Sequence, residues 1–211
     1  MNHENFLNEQ FPLSTQTRIV SALKKAYRAI DQLVDDIPLL QVTSAQFNHG
    51  RLKSWASDYY IEALLKDGLL PYEYRWEYFD KPTGKFLRIH LPDARLIISQ
   101  VSCSYAPPRF ANFRANAILD NQPFLFPEME MERQKTLGTP TFILVHGHKD
   151  LSFVRIGLPH PSQQAYIFQT DNLLKMPHII EADKPQPEAM DTEGLVTLKE
   201  EIFKQLVNGN A

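Results

Sequence analysis

Apolar residues recur every three to four positions over the first third of the chain and every second position from Leu70 onward. The first period predicts helices and the second predicts strands. Ser14 or Thr15 is placed to cap a helix running to about Val34, with Ile19, Leu23, Ala26, Tyr27, Ile30 and Val34 on one face. Pro38 disfavours helix at the residue before it and ends this segment. A second helix is expected over Arg51 to Lys66, with Leu52, Trp55, Tyr59, Ala63 and Leu64 on its core face and Asp67-Gly68 as a stop. Beyond it, Tyr72 to Phe79 alternates aromatic and charged residues, and Lys81-Pro82-Thr83-Gly84 reads as a turn. Lys85 to Leu91 places Leu87, Ile89 and Leu91 on one face and Phe86, Arg88 and His90 on the other. After Pro92-Asp93 comes a third strand, Ala94 to Val101, completing an antiparallel meander.

Residues 102–140 lack a clear period. Pro108 can start a short helix through Arg109–Leu119, with Phe110, Phe113 and Ala117 turned inward. Three further strands are expected at Thr141–His146, Ser152–Leu158 and Ala165–Thr170. The expected fold is α+β: a helical N-terminal third packed on a mostly antiparallel β-sheet, with a C-terminal amphipathic helix. Residues 1–180 read as one domain, 181–191 as a polar linker, and 192–211 as that helix, with Leu195, Leu198, Ile202, Phe203 and Leu206 on one stripe.

The 211 residues are 43% hydrophobic, enough for a sizeable core, which excludes a disordered chain. No apolar run reaches the roughly 18–20 residues of a membrane span, so no membrane association is expected. The N-terminus lacks the basic and apolar regions of a secretory signal, and Cys103 is the only cysteine. One cysteine makes no intramolecular disulfide and no cysteine-based zinc site, and the expected location is cytoplasmic.

Net charge is −3, but residues 81–170 hold ten Lys and Arg against six Asp and Glu. The sheet region is therefore basic, and it motivates a phosphodiester-binding reading through Arg88, His90, Arg95, Arg109, Arg114, Lys149 and Arg155. The leading expectation is a cytosolic accessory protein that engages nucleic acid, with a metal-dependent nuclease as its enzymatic form. The competing expectation is a non-enzymatic protein-interaction module or regulatory subunit. It would use strand 72–79 and the C-terminal helix to bind a protein partner or a second copy.

No complete catalytic signature is present. His146-Gly147-His148-Lys149-Asp150 resembles the start of the His-x-His-x-Asp-His motif of metallo-β-lactamase-fold hydrolases, with Leu151 in place of the last His. That resemblance covers five residues and implies a divalent metal on His146 and His148. A looser set adds Asp150 and His160, with His148, Asp150 and His160 as the candidate catalytic residues should the hairpin bring them together. Pro92-Asp93 is similar to the opening of the PD-(D/E)xK nuclease motif, which implies an acid or Gln and a Lys on the next strand. Gln100 fills the first of these positions, Ser102 stands where the Lys would, and Glu62 is the candidate helix-borne acid. Cys103 with His90 is a further candidate pair.

Overall fold

The computed structural model describes residues 2–79, 84–121 and 139–175. The expected linker at 181–191 and the helix at 192–211 lie outside the described residues. Helix α1 (His3–Gln10) is capped by Asn2, whose side chain accepts from the amides of Glu4 and Asn5. Helix α2 spans Leu13–Asp36 and begins directly after Pro12, so it starts slightly earlier than the Ser14 or Thr15 cap suggests. Two single turns, α3 (Pro38–Gln41) and α4 (Thr43–Gln46), lead to α5 (His49–Lys66).

Six strands follow: β1 (Glu73–Tyr78), β2 (Lys85–His90), β3 (Arg95–Val101), β4 (Thr141–Gly147), β5 (Val154–Pro159) and β6 (Tyr166–Gln169). They form one sheet in sequential order. Every neighbouring pair is antiparallel except β3 and β4, which run parallel with Arg95 beside Thr141 and Val101 beside Gly147. The α+β reading and the β1–β3 meander hold. The parallel pair was not legible from the pattern; it follows from the long connection through 102–140, which returns the chain to the same end of the sheet. Among the described residues that connection carries α6 (Asn112–Ile118) and a 3₁₀ turn at Leu119–Asn121.

Alternation along each strand assigns the two faces. Leu87, Ile89, Leu96, Phe142, Leu144, Val154, Ile156 and Leu158 pack with α1, α2 and α5. Phe86, Ile97, Ile143, Val145 and Phe153 pack on the other face with Ile118 and Phe113 of α6. The sheet is thus the middle of three layers, and β4, covered on both sides, is buried throughout. Phe110 is 70% exposed rather than turned inward, because α6 begins only at Asn112 and leaves residue 110 outside the helical face. Trp55 and Tyr59 are only partly buried, against the smaller core between α2 and α5.

Asn121 ties the connection to the sheet. Its side chain accepts from the Thr141 amide and donates to the carbonyls of Thr141 and Pro159. The same bonds show that the end of β5 lies beside the start of β4.

Candidate functional site

Strands β3 and β4 end side by side, and several functional side chains meet there. Gln100 of β3 is in register with His146 of β4. Both lie on the helix-covered face, beneath Tyr27 of α2. Tyr27 Oη is 2.8 Å from His146 Nδ1 and 3.3 Å from Gln100 Nε2, and it donates to the Gly147 carbonyl. A phenol has one hydrogen to give, so His146 and Gln100 are the donors to its oxygen. His146 is fully enclosed, and burial pushes its pKa down to about 4, so the ring is neutral near pH 7. Burial also pushes the Tyr27 hydroxyl up to about 12, which keeps it a donor.

This buried set fixes the turn that follows β4. Gln100 donates from Nε2 to the His148 carbonyl, and its Oε1 lies 3.1 Å from His148 Nδ1. Lys53 of α5 is buried, ion-paired to Asp31 at 2.7 Å, and donates to the Lys149 carbonyl. Gly50 at the start of α5 lies against the His148 ring so closely that a Cβ would overlap it. Gly147 likewise has no room for a side chain, because the Asp150 carbonyl occupies that space. The 147–150 turn is therefore held from three sides by α2, α5 and β3.

Beyond the strand ends lies a cavity of about 420 Å³, lined by Ser99 to Cys103, by Ala106 to Arg109, by Arg114 and by His148. Cys103 is exposed, and the backbone amides of Tyr105 and Ala106 donate to its sulfur and lower its pKa. Arg114 is half-buried. It donates to the Arg109 carbonyl, stacks on Phe113, and its Nε has no hydrogen-bond partner. Arg155 of β5 reaches the Thr170 carbonyl and the hydroxyl of Tyr105, and lies over the Tyr105 ring.

The remaining expected residues fall into other places. Arg88, His90 and Arg95 share the α6-side face of β1–β3 with Arg75, as period two requires. This cluster is compensated: Arg88 pairs with Glu77 at 2.9 Å and Arg95 with Asp120 at 3.5 Å, while Glu73 lies opposite His90. Burial and the three arginines lower the His90 pKa.

His160 bonds Ser162 beyond the end of β5, at the Thr141 end of β4. His148 and Asp150 are past the opposite end of β4, about 20 Å away for seven residues of strand. The expected convergence of His148, Asp150 and His160 therefore does not occur, because β5 runs antiparallel to β4 and carries residue 160 away. Among the described residues no group of three or more His, Cys, Asp or Glu side chains is arranged for a metal ion.

Asp93 bonds Gln10 in the β2–β3 turn, a strand length from Gln100, and Glu62 bonds Trp76 and Lys66. The PD-(D/E)xK arrangement is not assembled from these residues. His90, opposite Arg95 at the start of β3, is likewise far from Cys103 beyond its end.

Sequence reasoning singled out His148, Arg109, Arg114 and Cys103 separately and missed that they line one cavity. It placed Tyr27 only on the core face of the first long helix and gave Gly50 no role. Among the described residues no helix is long and apolar enough to cross a membrane. No family model, curated protein or solved structure matches the chain.

Proposed function

We propose that the protein binds single-stranded nucleic acid across the rim of the cavity at the ends of β3 and β4. One observation carries this reading: among the described residues, the arginines and the lysine around that cavity form no ion pair. They are Arg109, Arg114, Lys149 and Arg155. The 147–150 turn adds a single acid, Asp150. The arginines on β1–β3, by contrast, already face Glu77 and Asp120. An arginine paired to a carboxylate has little attraction left for phosphate, so the cavity rim is the stronger electrostatic candidate.

Two large rings stand on the same segment. Tyr105 is 71% exposed and Phe110 is 70% exposed. Exposed aromatic rings beside guanidinium groups match what unpaired bases and their phosphates require, with stacking and ion pairing acting on alternate parts of each nucleotide. In a duplex the bases are stacked away and the rings would have no partner.

Anisotropy of a labelled single-stranded DNA at low ionic strength tests the reading. Binding should weaken linearly with log salt concentration, and Arg109→Ala and Arg155→Ala should each flatten the slope by about 0.7. Arg95→Ala, which removes a compensated charge, should leave the slope unchanged. Absence of salt-sensitive binding removes the proposal, and a flatter slope for Arg95→Ala alone moves the interface to β1–β3.

A further inference from the structure

We infer that the cavity itself is a pocket for a phosphate monoester, so that the protein takes the phosphorylated end of a strand, or a free nucleotide, rather than only the backbone between ends. The inference deepens the nucleic-acid reading and rests on it for its oligonucleotide source. An internal phosphodiester carries one negative charge and is flanked by chain on both sides. A monoester near pH 7 approaches two charges and has three free oxygens. The cavity presents two guanidinium groups, Arg109 and Arg114, and the hydroxyls of Ser99 and Ser102. Two forks with two hydroxyls match a dianion with several open acceptor sites better than a singly charged diester.

The volume agrees. A bare phosphate would leave most of about 420 Å³ empty, whereas ligand pockets for small organic molecules begin at roughly 300 Å³. The pocket therefore has room for the sugar that carries the phosphate. Its position, off the carboxyl ends of adjacent parallel strands, is where open sheets with helices on both faces bind ligands.

Arg114 donates to the Arg109 carbonyl, which ties the two cavity-lining arginine residues together. Cys103 lines the same cavity and is exposed. His148, also in the wall, is fixed by its contacts with Gln100 and Gly50.

Cys103, the only cysteine in the chain, serves as the reporter. The full-length protein is treated with iodoacetamide, and Cys103 labelling is followed by mass spectrometry. It is labelled alone, with a nucleoside monophosphate, with a phosphate-ended single-stranded DNA, and with the same DNA ending in hydroxyl groups. Phosphate-ended DNA should bind about tenfold more tightly than its hydroxyl-ended counterpart and slow labelling in proportion to occupancy. Arg114→Ala should erase that preference; Arg114→Lys, which keeps the charge but not the fork, should restore only part of it.

Equal affinity and equal protection by the two DNA forms overturns the pocket and leaves the rim proposal standing. Protection by the monophosphate with no DNA binding supports the pocket with a free nucleotide as its source and removes the rim proposal. No protection by any phosphate monoester overturns the inference.

Discussion

Tyr27 and His146, on α2 and β4, meet through a 2.8 Å hydrogen bond beneath the end of the sheet, with rings set edge to face. The phenolic oxygen also receives Gln100 and donates to the Gly147 carbonyl, so one atom joins a helix to both parallel strands. Tyr27→Phe takes the hydroxyl away from buried His146 and from the Gly147 carbonyl, while half-buried Gln100 keeps the His148 carbonyl. It should destabilise the fold by about 2–4 kcal/mol, several times the net worth of one hydrogen bond, as read from urea denaturation. A loss below about 0.5 kcal/mol would show that water replaces the hydroxyl.

The neutral state of His146 makes stability depend on acid. Its pKa is about 4 in the folded protein and about 6.5 in an unfolded chain, so the unfolded chain binds more protons between those values. Its contribution is present above pH 6.5 and is lost as pH falls towards 4, on the order of 3 kcal/mol in all. Denaturation midpoints measured from pH 7 to pH 4 should fall, and His146→Gln should flatten that slope even though it lowers stability at pH 7.

Asp58 on α5 acts in the opposite direction. Burial, with Glu62 one turn further on, pushes its pKa up to about 7. The folded state then holds the proton more tightly than the unfolded chain, so the carboxyl is tolerated in acid and its cost builds as pH rises from 3.8 to about 7. Asp58→Asn should stabilise the protein at pH 8 and make little difference at pH 4. A variant that is less stable at pH 8 would show that the carboxylate has a favourable partner.

Gly50 gives a steric test. A methyl group there meets the His148 ring, so Gly50→Ala must displace either the start of α5 or the imidazole. The cost should be about 1–3 kcal/mol despite the better helix propensity of alanine. His148→Ala should relieve it, and a double-mutant cycle checks the coupling directly. Additive effects would mean that the helix start moves instead.

The strands were legible because their environment is periodic. Alternation put Leu87 and Ile89 on one face and Arg88 and His90 on the other, and the continuous apolar run of β4 is what a strand covered on both sides requires. The parallel pairing was not legible, since nothing local in residues 95–101 distinguishes a neighbour of either direction. The cavity was hidden for a related reason: Cys103, Arg109, Arg114 and His148 come from a loop, a helix and a turn with no shared period. Tyr27 was read from its ring alone. A hydroxyl in the middle of an otherwise apolar stripe was the available signal that a polar strand end lies opposite.

The parallel pair also sets the order in which the molecule can fold. The helices and β1–β3 pair with near neighbours along the chain, but β3 waits for β4 until residues 102–140 have closed a long loop. Closing that loop costs entropy before any strand contact rewards it, so the step belongs late in folding and slows it. Until it is complete, the β3 edge is unpaired and the apolar face later covered by α6 is bare. For as long as that lasts, the chain offers a strand edge to other copies of itself.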